Sequence, residues 1–313
     1  MMQELMNFTN QIIKENKSMD SLIIYKNGSG YIVNEKSDEK INIRSISKTI
    51  LALTCGIIID EDINFDEESK IFSILYDKID ITNKNNEKYL KEIKIKHLLT
   101  HTVGYRDVLL MSRNINKYDK DNLLNYLINY PIHYKPGTNF LYSNASYYLL
   151  SATLEEYLGY ELFDYINKRL FKPLEIKNAR ADKYGKYLAG ATKFDLSAED
   201  LLKIGKLILN KGVYNGKRIV SESWIDKMIV PYFKNESEDK NKSLSEDFYG
   251  YSLWSSKSGE VFASGTGGQL IVIFQKLGTI IVTTNNGSEN KAYRIKNDVA
   301  MILDMLNRRY YGL

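Results

Sequence analysis

The stretches of this chain that read as β-strand lie at its two ends, and the long span between them reads mainly as helix. Ser21 to Tyr25 and Tyr31 to Asn34 are expected strands flanking the turn Asn27-Gly28-Ser29-Gly30 as a hairpin, because β-branched and aromatic runs are interrupted there by turn residues. Three or four more strands are expected late, at Tyr249 to Trp254, Glu260 to Ser264, Gln269 to Phe274 and Thr279 to Thr284, before a closing helix from about Asn290 to Asn307. This order predicts a sheet made of the two chain ends with a helical region inserted between them. No internal repeat is evident, and the polar stretch Lys234 to Asp247 reads as a surface loop.

At 313 residues with 43% hydrophobic content the chain has enough apolar mass for a sizeable core. Its formal charge of +4 comes from Lys and Arg spread among Asp and Glu, without a dense basic block, so nucleic acid is not an expected partner. The single cysteine, Cys55, cannot form an intramolecular disulfide and reads as a packed thiol. Between Met1 and Asp20 the charges Glu4, Lys14, Glu15 and Lys17 break any apolar run, leaving neither a signal-peptide core nor a membrane span. The expected compartment is the cytoplasm, with no membrane partner. Leu5, Phe8, Ile12 and Ile13 suggest an amphipathic helix packed on a sheet.

Chemistry is carried by Ser45-Ile46-Ser47-Lys48. The S-x-x-K spacing also occurs at Ser37-Lys40, Ser237-Lys240 and Ser288-Lys291, but only after Ser45 do apolar positions recur at helical spacing, at Ile46, Ile50, Leu53 and Ile57. Ser45 is therefore expected at the first turn of a buried helix with Lys48 one turn along the same face. The other three serines read as solvated loop residues. A lysine can take the proton of a serine hydroxyl if burial and positive potential lower its pKa from about 10.4, and a helix N-terminus supplies some of that potential. It also leaves free backbone N–H groups near Ser45 for an oxyanion.

Downstream, Pro136-Gly137-Thr138-Asn139-Phe140 forms a turn into Tyr142-Ser143-Asn144 and a second apolar pattern at Tyr148, Leu149 and Ala152. A phenol near a lysine ammonium loses its proton more easily than at its ordinary pKa of about 10, so Tyr142 can shuttle protons. Asn144 offers an amide donor and an acceptor to a substrate amide. Y-x-N also occurs at Tyr25-Asn27 and Tyr165-Asn167; position in the chain selects Tyr142.

These residues resemble those of the serine β-lactamase and penicillin-binding protein superfamily, in its class C-like branch of β-lactamases, esterases, D-peptidases and amide hydrolases. The resemblance continues through Lys96-His97-Leu98-Leu99-Thr100-His101-Thr102-Val103-Gly104, Phe171-Lys172-Pro173-Leu174-Glu175-Ile176, and the stretch from Ala191 to Ile219. It implies an α/β (α+β) fold with an antiparallel sheet from both chain ends, flanked by helices, and a mostly helical inserted subdomain. The expected division is 1–58 with 246–313 for the sheet subdomain and 59–245 for the helical one, with the active site at their junction. The family's third motif, usually Lys-Thr-Gly or a His or Trp variant, falls on Ala263-Ser264-Gly265 or, in a shifted register, on Gly265-Thr266-Gly267, and in either register its basic or aromatic first residue is missing. Ser264, Gly265 and Thr266 are the expected substrate-binding strand, with the Thr266 N–H as second oxyanion donor.

His97 and His101 stand four apart, a spacing that puts both on one helix face, but position 98 is Leu where a zinc protease needs Glu. No metal and no cofactor are expected, and the resemblance makes His101 a buried structural residue. The expected activity is a serine hydrolase acting through an acyl-enzyme on a small-molecule or short-peptide ester or amide, a D-amino-acid amide and a β-lactam included. Ser45 is the nucleophile, Lys48 the base, Tyr142 the relay and Asn144 a substrate ligand. The alternative is a sensor-type penicillin-binding protein that acylates without turnover.

Overall fold

Both ends of the chain meet in one sheet. The computed structural model describes residues 7–12, 19–26, 28–32, 37–235, 243–286 and 289–310. Its main sheet is built from β1 (Ser21–Lys26), β2 (Ser29–Ile32), β3 (Phe233–Lys234), β4 (Phe248–Tyr249), β5 (Trp254–Ser255), β6 (Val261–Ser264), β7 (Leu270–Phe274) and β8 (Thr279–Thr284). They lie in the order β3-β4-β5-β6-β7-β8-β1-β2, every pair antiparallel. The seam between the two ends is β1 on β8, running from Ser21 opposite Thr284 to Lys26 opposite Thr279.

The strands are central because both faces are apolar. In β7, Leu270, Val272 and Phe274 face one core while Ile271 and Ile273 face the other, the period of two that a pleated strand imposes. The first core is closed by α6 (Ala292–Tyr310), whose Ile295, Val299, Ile302 and Leu303 are buried, and by the helical residues 7–12, where Ile12 is buried and Phe8 partly so. Leu5 and Ile13, also expected on that helix face, fall outside the described residues. On the opposite face, α4 (Ala198–Leu209) packs on β1, β7 and β8. Two pieces of the middle stretch thus join the sheet unit, α4 and β3. No described helix is long and apolar enough to cross a membrane.

The second core also contains α1 (Ser47–Glu61) and α3 (Asn144–Leu158). The expected stripe on α1 is an understatement, since every residue from Ser47 to Ile58 is buried; a helix enclosed on all sides need not be amphipathic. Ser45 itself precedes α1, in a 3-10 turn spanning Arg44–Ile46.

Several expectations need correction. Between Tyr249 and Trp254 the chain forms a hairpin turn, Gly250 to Leu253, joining β4 and β5, because Gly250 N–H donates to the Leu253 carbonyl and Ser252 takes a φ of 68°. Ser29 and Gly30 belong to β2, opposite Lys26 and Tyr25, so the first hairpin turns more tightly than the four-residue loop expected; Val33 and Asn34 are outside the described residues. The stretch Lys234 to Asp247 is only partly a surface loop: Leu244, Ser245 and Asp247 are buried, and residues 236–242 are not described. Ser37 is buried and donates to Glu199, so it is no solvated serine, while Ser237 and Ser288 fall outside the described residues.

The position of α1 is fixed from the side by Trp224 on α5 (Glu222–Ile229), whose indole Nε1 donates to the Ala52 carbonyl at 2.9 Å. Gly56 makes room for that ring: a Cβ there would lie 2.1 Å from Trp224 Cδ1. Gly56→Ala is expected to destabilise the protein by about 1–3 kcal/mol, read as a lowered midpoint in urea unfolding. A variant as stable as its parent would show that the indole can yield.

Candidate active site

Ser45 is presented by a short connection held at both ends. Before it, Ile41–Asn42 pairs with Phe194–Leu196, and Asn42 Oδ1 accepts from the Arg44 and Lys193 backbone N–H groups at 2.9 and 3.3 Å. Arg44 takes a φ of 53°, a left-handed conformation that a non-glycine residue keeps only when its surroundings enforce it. After it, Ser47 Oγ accepts from the Phe194 N–H at the start of α1. The Ser45 side chain emerges half-buried beside the buried Lys48.

Lys48 Nζ has three partners: Ser45 Oγ at 3.1 Å, Asn144 Oδ1 at 3.0 Å and the Ala191 carbonyl at 3.1 Å. Two of these can only accept. A neutral amine has two N–H donors and one lone pair, so donation to Asn144 and Ala191 leaves the lone pair aimed at the serine hydroxyl. Burial supplies the neutral form, bringing the amine down to about 7. The arrangement can therefore take up a proton from Ser45 at neutral pH and then hold it with all three donors matched.

Asn144 is the first residue of α3, whose N-cap is Ser143. Its Nδ2 donates to the Leu110 carbonyl at 2.9 Å while its Oδ1 serves Lys48, so both ends of the amide are engaged inside the protein and the side chain is buried. That geometry suits a lysine-holding role, against the expectation of a substrate ligand.

Tyr142 packs against His101, with ring centroids 4.5 Å apart, and against Trp254 at 5.4 Å. Its ring centroid lies 4.8 Å from Lys48 Nζ. Burial pushes its hydroxyl above the ordinary phenol value, a hydrogen bond with Ser45 opposes this, and the negative charge of Glu246 adds to the rise. The direction is opposite to that expected, because burial of the phenol outweighs the hydrogen bond with Ser45. Tyr142 is thus a proton donor held beside Ser45, and Lys48 is the group able to be a base.

His101 is not on the helix with His97. That helix, α2 (Ile95–Leu99), ends before it, and His101 adopts a φ of 56°. Its Nδ1 accepts from the Ser143 N–H at 3.4 Å, which leaves Nε2 to donate to Tyr249 Oη at 3.0 Å. Burial, with the Lys48 charge adding, holds the imidazole well below its usual range, so it is a neutral scaffold for the Tyr142 segment. Cys55 is buried, and burial pushes its thiol up, as befits a packed side chain.

A cleft of about 470 Å³ opens over these groups, and Ser45, Tyr142, Ser264, Gly265 and Thr266 all line it. Ala263 is buried in the core and does not reach it. Gly265 is where β6 meets the serine-bearing connection: a Cβ there would lie 2.9 Å from the Ile43 carbonyl oxygen and 3.1 Å from Arg44 Cβ. The glycine therefore admits a neighbouring backbone while also lining the cleft. The turn beyond it is tied by the Gln269 side chain, which accepts from Gly267 N–H at 3.0 Å and donates to the Asn285 carbonyl at 2.7 Å. The Ser45 and Thr266 N–H groups have no acceptor among the described residues and border the same cleft, as a pair of oxyanion donors must. The sequence reading missed Glu246, Lys296, Trp254 and Asn235, which also line the cleft, and the Ala191 carbonyl under Lys48.

A family model described as Beta-lactamase matches residues 21–304. A 60-residue segment is 35% identical to the N-acetylmuramyl-L-alanine amidase of Bacillus subtilis (strain 168), covering 19% of this chain and 14% of that protein. The chain resembles in fold a penicillin binding protein from Bacillus halodurans, with a TM-score of 0.71, 17% identity and coverage of 93% of this chain and 98% of that one. It is equally similar to the D-amino acid amidase from Ochrobactrum anthropi SV3, with a TM-score of 0.70, 14% identity and coverage of 98% and 99%.

The burial of Lys48 yields a direct expectation. In protein carrying ¹³C-labelled lysine, the Lys48 Cε resonance should titrate with a midpoint of about 7. A midpoint above pH 9 would mean that the amine is hydrated and charged in solution.

Proposed function

The chain belongs to the beta-lactamase family, matched over residues 21–304, and from that premise we propose that it is a serine hydrolase forming an acyl-enzyme at Ser45. Ser45 Oγ attacks the carbonyl carbon of an ester or amide while its proton passes to the Lys48 amine. The N–H groups of Ser45 and Thr266 receive the oxyanion. Tyr142 donates a proton to the departing oxygen or nitrogen and is reprotonated from Lys48. Water then attacks the acyl-enzyme, giving up its proton to the same pair, and the acid leaves with Ser45 restored.

The observation that carries this reading is the lysine: an amine brought to about 7, its two donors occupied by Asn144 and Ala191 and its lone pair directed at Ser45. Asn144 acts by orienting it. The Tyr142-Ser143-Asn144 triplet leading into α3 supports the class C-like branch. A cleft of about 470 Å³ supports a small-molecule or short-peptide substrate. The amidases to which the chain is similar act, by their names, on amide bonds, which supports amide as well as ester hydrolysis.

A fluorophosphonate should label Ser45 in peptide mapping, and Ser45→Ala should lower turnover of a chromogenic ester by at least about a thousand-fold. Labelling elsewhere with Ser45 unmodified would remove the nucleophile from this scheme, and a stable adduct without turnover would favour a sensor.

Lys48 and Tyr142 should separate kinetically. Single-turnover acylation should rise with pH up to about 7 and level off above it, since only the neutral amine is a base. Tyr142→Phe should slow deacylation by about a hundred-fold and accumulate an acyl-enzyme visible by intact mass. Unchanged turnover of both an ester and an amide by Tyr142→Phe would reduce Tyr142 to an aromatic in the cleft wall.

A further inference from the structure

One residue holds Tyr142 from both sides. The Leu141 N–H donates to the His101 carbonyl at 3.0 Å and the Ser143 N–H to His101 Nδ1 at 3.4 Å, so the N–H groups on either side of Tyr142 are tied to the backbone and to the ring of the same histidine. The ring half of this clamp works only while Nδ1 carries no hydrogen and points at Ser143. Aromatic packing does not secure that. Tyr142, Tyr147, Tyr249 and Phe140 surround the imidazole at centroid distances of 4.5, 5.1, 5.1 and 6.3 Å, and such contacts do not tell one ring nitrogen from the other.

The hydrogen bond at the other ring nitrogen does tell them apart. Tyr249 Oη, 3.0 Å from Nε2, accepts its hydrogen. Tyr249 gives its own hydrogen to the Tyr147 hydroxyl, which in turn donates to the Leu99 carbonyl at 3.0 Å. A line of donors thus runs from the main chain at Ser143 to the main chain at Leu99, and every hydrogen in it has a direction. Tyr249 is buried, does not border the cleft, and is set by β4, where it pairs with Phe233 on one side and Trp254 on the other. We propose that Tyr249 is a positioning residue for proton donation: its hydroxyl fixes the tautomer and orientation of His101, and through them the place of Tyr142 beside Ser45. This assignment rests on the acyl-enzyme reading above. Phenylalanine at position 249 would keep the ring packing but leave Nε2–H a buried donor without a partner, and moving that hydrogen to Nδ1 relieves the loss only by breaking the bond from Ser143.

The test joins spectroscopy to kinetics. In protein carrying ¹⁵N-labelled histidine, His101 should be the Nε2–H tautomer, and in Tyr249→Phe the hydrogen should move wholly or partly to Nδ1. With p-nitrophenyl acetate, Tyr249→Phe should slow deacylation by about tenfold or more, lowering kcat and accumulating acyl-enzyme. Acylation should be slowed much less, because p-nitrophenolate departs without needing a proton. Added to Tyr142→Phe, Tyr249→Phe should cost no more than about a further twofold, since it acts only through that phenol, whereas a general loosening of the site would multiply the two losses. Circular dichroism and fluorophosphonate labelling of Ser45 report whether each variant is folded. Should Tyr249→Phe not fold, Tyr147→Phe, which takes away the acceptor of the Tyr249 hydrogen, is expected to give the same tautomer change and the same kinetic split. An Nδ1–H tautomer in the parent protein, unchanged deacylation in the folded variant, or losses that multiply overturns the assignment. If p-nitrophenyl acetate is hydrolysed and Ser45 labelled in that case, the acyl-enzyme reading stands alone; if Ser45 is unlabelled and nothing is hydrolysed, both fall.

Discussion

A single buried amine is what the rest of the site is arranged around. Bringing Lys48 from 10.5 to about 7 corresponds to about 5 kcal/mol at about 1.4 kcal/mol per pH unit. The folded-state value lies below the unfolded one, so the penalty is fully present below pH 7 and disappears as pH rises through about 10.5. The protein tolerates it because the helix that carries Lys48 is enclosed on every side by core, and because three acceptors stand ready when the proton arrives. An exposed lysine at the same spacing would avoid the cost and would be of little use as a base.

Around that amine, the catalytic geometry is assembled by backbone approach more than by side-chain identity. The 3-10 turn at Ser45, with Arg44 in a left-handed conformation, brings Ser45 to the cleft, and β6 is followed by a glycine so that the serine-bearing connection can lie alongside. The third motif can lose its basic residue without disturbing this, since position 263 faces the core and the expected oxyanion donor is a main-chain group. The charged side chains that line the cleft, Glu246 and Lys296, come from outside β6.

β8 was legible from the sequence residue for residue, because a short β-branched run bounded by Gly278 and the Asn285-Asn286-Gly287 turn residues reads as a strand buried on both faces. Tyr249 to Trp254 was misread because aromatic richness mimics strand propensity while the break depends on the Ser252 backbone angle, which composition does not report. Ser45, Lys48 and Tyr142 could be chosen because the apolar helix and chain order singled them out. Ala191 and Leu110 could not, since they act through carbonyl groups that every residue has. Glu246 sits in a charged run, where nothing local separates a cleft-facing acid from a solvated one. The direction of the Tyr142 shift also depended on burial, which only the assembled cleft reveals.

The seam between β1 and β8 also determines when the cleft can come into being during folding. Ser45, Lys48 and Tyr142 are all made early in the chain, but Thr266 and the turn that presents it come late, and β6 is held in place through β7 and β8. A partly formed molecule therefore holds a serine and an amine without the Thr266 side of the cleft. Pairings of such large sequence separation carry a high loop-closure cost and form slowly. Completion of the cleft is thereby coupled to a long-range pairing, and a chain that has not joined β1 to β8 lacks the support on which Thr266 is presented.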